Sequence, residues 1–169
     1  TMTIKIIDKL KSLIESITIA QGVEFNMSGK VHVNALSFSE DDNLDANQTP
    51  FVSILQNARE PFKTKDSVDQ GQGSIVVFPL TIEAVMTNLT PDDWKEAEIF
   101  KAEVKRLIRE AVVTKDANGN RNLLGLGKSI TEVKISLGSV LPSEEHSAYQ
   151  KVRVPIEISF HEDMLNPFS

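Results

Sequence analysis

From Ser74 to Thr87 the chain alternates with a period of two, and Val76, Phe78, Leu80, Ile82, Ala84 and Met86 form an unbroken apolar side. Such alternation marks a strand with one buried face, and at ~3.3 Å per residue it runs ~45 Å. A strand of that length needs a helical layer over its apolar side. From Thr3 to Ala20, Ile6, Ile7, Leu10, Leu13, Ile14 and Ile17 recur at helical spacing, with only Ile4 and Ile19 off the stripe; Gln21-Gly22 supplies the stop. Directly after the long strand, Thr90 can act as N-cap, Pro91 as first helical residue and Asp93 as the acidic third position. The helix predicted over Asp92 to Lys115 buries Trp94, Ala97, Phe100, Val104, Leu107, Ile108, Ala111 and Val112, and its charges run from acidic to basic along the dipole. Ile99 falls on the wet face, among Glu96, Glu103, Arg106 and Glu110.

Four further segments read as strands or strand pairs: two short alternations within Val23 to Ser37, a buried run at Pro50 to Ala58, Ile130 to Leu141, and Ala148 to Phe160. The last has the clearest alternation in the chain, Val152, Val154, Ile156, Ile158 and Phe160 against Lys151, Arg153, Pro155, Glu157 and Ser159. The order α-β-β-β-α-β-β predicts a single α+β domain over residues 1–169, with two helices packed on one face of a mixed, mostly antiparallel sheet. Pro79 and Pro155 sit on the polar sides of the two best strands. Each removes one ladder donor and so predicts an edge or a bulge. The polar stretches 38–49, 59–73 and 114–128 are expected as mobile loops, and a connection as long as Arg59 to Gly73 is often functional.

Composition narrows the chemistry. A formal charge of −6 and the lack of any Lys/Arg-rich run remove the footprint of a protein that grips phosphates. The absence of cysteine excludes disulfides, thiolate catalysis and Cys-based zinc sites. Apolar runs fall short of the ~20 residues that span a bilayer, so no membrane role is expected. Thr1, ahead of Met2, is set aside as a tag-like residue, and no charged-then-apolar signal segment opens the chain, which points to synthesis in the cytosol.

Asn122 to Ser129 ends like a phosphate loop, but Asn122 stands where the first glycine belongs. The segment also leaves a helix and enters a strand, the reverse of what phosphate cradling needs; a turn with glycines at positive φ accounts for it. Asp41, Asn43 and Asp45 mimic the start of a calcium loop, with Ala46 and Val52 where Gly and Glu are needed. His32, His146 and His161 lack metal-ligand spacing, and no nucleophile stands in a recognisable context. No catalytic, cofactor or metal residue is therefore assigned, and the expectation is a non-enzyme.

The element order, the Pro-Phe-Val-Ser-Ile run at Pro50 to Ile54 and the Val-Val-Phe-Pro-Leu-Thr-Ile-Glu-Ala-Val run at Val76 to Val85 together carry a resemblance. It extends through Trp94-Lys95-x-Ala97-Glu98, Lys105 to Arg109, Gly125-Leu126-Gly127 and the closing Val152 to Phe160. In these features the chain resembles the tail terminator proteins of tailed bacteriophages and prophages, the minor tail protein U group, over Met2 to Phe160. The resemblance implies a structural virion protein that forms a hexameric ring. Such a ring caps the head-proximal end of the tail tube, stops its polymerisation and offers a docking surface to a head-completion or neck protein. The implied partners are further copies of the chain, the tail tube protein and the neck protein, with assembly in the host cytoplasm. An acidic lumen would let DNA pass without specific binding. Expected subunit contacts are Arg59, Phe62, Lys63 and Lys65 in the long connection and Ile99, Glu103 and Arg106 on the second helix. A head-tail connector, tail completion or baseplate subunit remains as one alternative, and a small hydrolase or ligand-binding domain using His161 with Glu162 or Asp163 as another.

Overall fold

The computed structural model describes residues 1–35, 49–56, 64–65, 73–127, 129–142 and 148–163. In chain order it contains helix α1 (Met2–Glu15), strands β1 (Ile19–Ala20), β2 (Val23–Glu24), β3 (Val31–Val33), β4 (Phe51–Gln56), β5 (Thr64–Lys65) and β6 (Gly73–Thr87), and helix α2 (Asp93–Val113). A 3-10 turn at Leu123–Gly125 precedes β7 (Ile130–Ile135), β8 (Ser139–Pro142) and β9 (Tyr149–Asp163).

The long alternating strand is the centre of the fold. β6 pairs antiparallel with β9 in one unbroken register from Gly73 opposite Asp163 to Thr87 opposite Tyr149. The main sheet runs β3-β4-β6-β9-β7, with β5 on β6 and β8 on β9. Among the described residues only β3 and β4 pair in parallel; the other pairs in this sheet are antiparallel. The predicted α+β class with a mixed, mostly antiparallel sheet is therefore what the chain forms.

One face of the sheet is covered. Phe78, Leu80, Ile82, Ala84 and Met86 of β6 join Val152, Val154, Ile156, Ile158 and Phe160 of β9 in a single core with Ile6, Leu10 and Ile14 of α1 and Ala97, Phe100, Val104 and Ile108 of α2. Burying each large aliphatic or aromatic side chain contributes roughly 1.5–3 kcal/mol. The rings of Phe25 and Phe100 meet at 5.3 Å and 58°, an edge-tilted geometry that aromatic quadrupoles favour.

Several boundaries move. α1 stops at Glu15 rather than Ala20, because Ile19–Ala20 turns back through Gln21 (φ 50) and Gly22 (φ 80) to pair with Val23–Glu24. The Gln21-Gly22 pair is thus a hairpin turn, not a helix stop. Thr1 is the N-cap of α1, its Oγ1 accepting from the Ile4 N–H at 3.4 Å. At α2 the predicted cap is half built: the Asp93 carboxylate reaches back to accept from the Leu89 and Thr90 N–H groups (2.7 and 3.0 Å) and the Thr90 hydroxyl (2.7 Å). Helical residues begin at Asp93, and the last turn carries no base. Trp94, expected in the buried stripe, is 53% exposed.

Ile130 to Leu141 is two strands, not one. The register with β9 shifts between Ile135 opposite Ile156 and Ser139 opposite Arg153. Pro155 lies opposite this break, and the Ser136 N–H reaches its carbonyl at 3.0 Å. Pro79 lies in the matching gap on the other side of β6, between the partners of β5 (Ile75, Val76) and those of β4 (Leu80 to Val85). Both prolines therefore stand where the ladder needs no donor, as their chemistry requires.

Candidate assembly surfaces

Three surfaces hold the features that the sequence singles out. The first is the sheet face turned away from the helices. Register alignment places Ser53, Glu83, Arg153 and Ser139 in one row across β4, β6, β9 and β8, and Phe51, Val85, Lys151 and Leu141 in the next. Glu83 is only 5% exposed, yet its carboxyl group is paired. The Arg153 Nε donates to its Oε2 at 3.0 Å, and the Lys151 Nζ lies 3.9 Å from its Oε1. Burial makes an unpaired carboxylate costly, so one acid held between two bases is the stable arrangement. Val85 is also buried and lies outside the main core, and His32 stacks on Phe51 with ring centroids 4.4 Å apart. Sequence reasoning missed the Glu83–Arg153 pair. Its signal was present in the polar sides of the two longest alternations, but only the register brings the two residues together.

The second surface is the outer side of α2. Arg106 is clamped by its own helix: Nε and Nη2 donate to the two Glu103 oxygens at 3.0 and 2.6 Å, and Nη1 donates to Glu110 at 2.6 Å. The hydrogen bond from Arg106 holds the Glu103 carboxyl below its ordinary pKa, and the Arg106 guanidinium is raised above its own mainly by the same bond. Ile99 is not on the wet face. It is partly buried and packs against the core. The expected Ile99, Glu103 and Arg106 group thus consists of an ion-pair cluster beside a partly buried apolar side chain. Further round the helix, burial and then the charges of Arg109 and Lys101 hold the Lys105 ammonium below its ordinary value, and its Nζ donates to the Leu137 carbonyl at 3.1 Å.

The third is the Arg59 to Gly73 connection. Within it Thr64–Lys65 forms β5, pairing with Val76 and Ile75. Arg59, Phe62 and Lys63 lie outside the described residues, as do His146 and the calcium-like Asp41, Asn43 and Asp45. The connection after α2 carries its own hydrogen bonds. Lys115 bridges to Arg121, and the Asp116 carboxylate accepts from the Asn118 and Asn120 N–H groups at 2.9 Å. In the segment that ends like a phosphate loop, Gly125 and Gly127 have positive φ as expected, but Leu123 (φ 45) and the fully buried Leu124 (φ 64) do too. Burial of the Leu124 side chain offsets a backbone conformation that costs an L-residue ~1–2 kcal/mol.

Two concavities accompany these surfaces. A cleft of about 310 Å³ is lined by Glu24, Asn26, Lys30, Thr49, Met86 and Glu96, with the Lys30 Nζ donating to the Thr49 carbonyl at 3.0 Å. A shallower notch of about 280 Å³ lies at the β7–β8 break, between Lys134, Ile135 and Ser136 on one side and Pro155, Ile156 and Glu157 on the other. The chemistry on these surfaces is that of ion pairs, sheet edges and exposed apolar groups. No protein-family model matches the chain, and no curated protein matches its sequence.

Proposed function

We propose that the chain is a structural virion protein, a tail terminator whose copies form a hexameric ring on the head-proximal end of a phage tail tube. In this reading the ring ends tube polymerisation by occupying the growing end and presents its other face to a head-completion or neck protein. It performs no bond chemistry. The observation that carries the reading is the relation between the two strand motifs on which the resemblance rests. Val76 to Val85 and Val152 to Phe160 are neighbours in the sheet, in continuous register, with both helices on the same side of them. That leaves the half-exposed Arg153, held over the buried Glu83, on the face away from the helices, where a subunit can meet its neighbours. The formal charge of −6 supports a lumen through which DNA moves without adhering.

The test is assembly. Purified protein added to tail tubes should cap one end with rings of six 18.7 kDa subunits, seen by negative-stain microscopy and light scattering. Loss of the gene should give overlong or headless tails. A protein that stays monomeric and fails to bind purified tubes refutes the reading.

A further inference from the structure

The edge of the sheet at β7 has a self-complementary pattern, and from it we infer that β7 pairs antiparallel with β7 of a second copy of this chain, about a two-fold axis at Val133. Among the described residues β7 is the last strand on this side of the sheet. The His161 N–H donates to the Ser129 carbonyl at 2.8 Å and the Ser136 N–H to the Pro155 carbonyl at 3.0 Å, so the odd-numbered residues of β9 turn their backbone toward β7. Glu132 and Lys134, opposite Ser159 and Glu157, therefore spend their backbone groups on β9. Val133 and Ile135, beyond the register shift at Thr131, turn theirs outward, which is the pattern a further strand needs.

The side chains say which strand fits. Centring the pair on Val133 places Glu132 opposite Lys134 twice, Val133 opposite Val133 and Ile135 opposite Thr131. The two charged side chains are 56% and 65% exposed and only 3.9 Å apart within the strand, so they can exchange partners at little cost. Slipping one strand by two residues either way puts Glu132 opposite Glu132, or Lys134 opposite Lys134, and like charges directly opposite are unfavourable. The charges thus fix one register, and they deter an unrelated strand in the way that charged edge residues commonly do. Val133 and Ile135 pack against the core on their inner side, so the pairing extends two apolar layers across the junction. The shift between Ile130 and Glu132 and the break after Ile135 confine it to this one segment.

This contact is a property of the free chain and does not rest on the tail reading. Sedimentation equilibrium of the full chain should show a concentration-dependent dimer. E132K and K134E should each weaken it about tenfold or more, since each turns two opposite-charge pairs into like-charge pairs. An equimolar mixture of the two variants should restore association as a heterodimer, and the double variant E132K/K134E should dimerise like the parent. V133P removes an outward N–H while leaving the ladder to β9 intact, so it should abolish the dimer with circular dichroism unchanged. A parent chain that stays monomeric to its solubility limit overturns the inference, as do charge variants that associate like the parent. Tube capping without any free dimer would sink this contact and leave the terminator reading standing; a free dimer that ignores tubes would do the reverse.

Discussion

Replacing Gly138 by alanine tests the geometry of the β7–β8 break directly. Gly138 has φ +78, and a Cβ built on it would sit 2.8 Å from the Arg153 carbonyl oxygen, 3.2 Å from the Lys101 Cδ and 3.3 Å from the Val154 Cγ2. Two costs follow. An L-residue at positive φ costs ~1–2 kcal/mol, and forcing a methyl group against packed backbone costs ~1–3 kcal/mol more. Gly119 provides the control, because its φ is +80 and nothing lies within 4 Å of its added Cβ. Both substitutions narrow the unfolded ensemble by the same amount, so their difference isolates the clash. Urea unfolding should therefore show G138A less stable than G119A by ~1–3 kcal/mol, with the m-value unchanged. Equal destabilisation of the two variants would mean that the Arg153 carbonyl does not close on Gly138, and the description of the break would be wrong.

Glu83→Gln should cost roughly 1–2 kcal/mol; the exposure of half the Arg153 side chain keeps the loss below that of a fully buried pair, and a double-mutant cycle with Arg153→Met should return a coupling of the same sign. Ile99→Asp should destabilise the folded chain by about 1–3 kcal/mol, measured by denaturant melts, rather than act as a clean contact variant. Asp93 is held below its ordinary carboxyl pKa by the Thr90 hydroxyl and N–H groups and the Leu89 N–H. Its contribution is thus present at neutral pH and lost as pH falls below ~4 through the depressed value. The Tm gap between the parent and D93N should narrow over that range, and a gap independent of pH would contradict the cap.

The core was legible because period two and period 3.6 report burial directly: the same side of Val76 to Met86 that reads as apolar is the side that meets the helices. The prolines were legible as ladder defects, though not as defects opposite a strand break and a strand gap. What stayed hidden depends on register or on which neighbour a helix position faces. Glu83 and Arg153 look like ordinary solvent-side charges until the strands are aligned. Ile99 is surrounded in sequence by charged residues, and the helical period alone does not show that it packs against the core. The stop of α1 was misplaced because Ile17 continues the apolar stripe and is buried while already belonging to the turn into β1.

The β6–β9 ladder also constrains how the chain reaches its fold. Its inner ends, Thr87 and Tyr149, are 62 residues apart, and its outer ends, Gly73 and Asp163, are 90 apart. The central pair of the sheet is therefore a non-local contact whose loop entropy must be met before any of its fifteen residue pairs contribute, which places the chain among slow-folding topologies. During synthesis β6, α2 and β7 emerge from the ribosome before the strand that joins them exists. Until β9 arrives, the apolar side of Val76 to Met86 has a helix to cover it but no neighbour on that edge. That edge of β6 therefore waits unpaired while residues 88 to 163 are translated, a kinetic exposure written into the strand order.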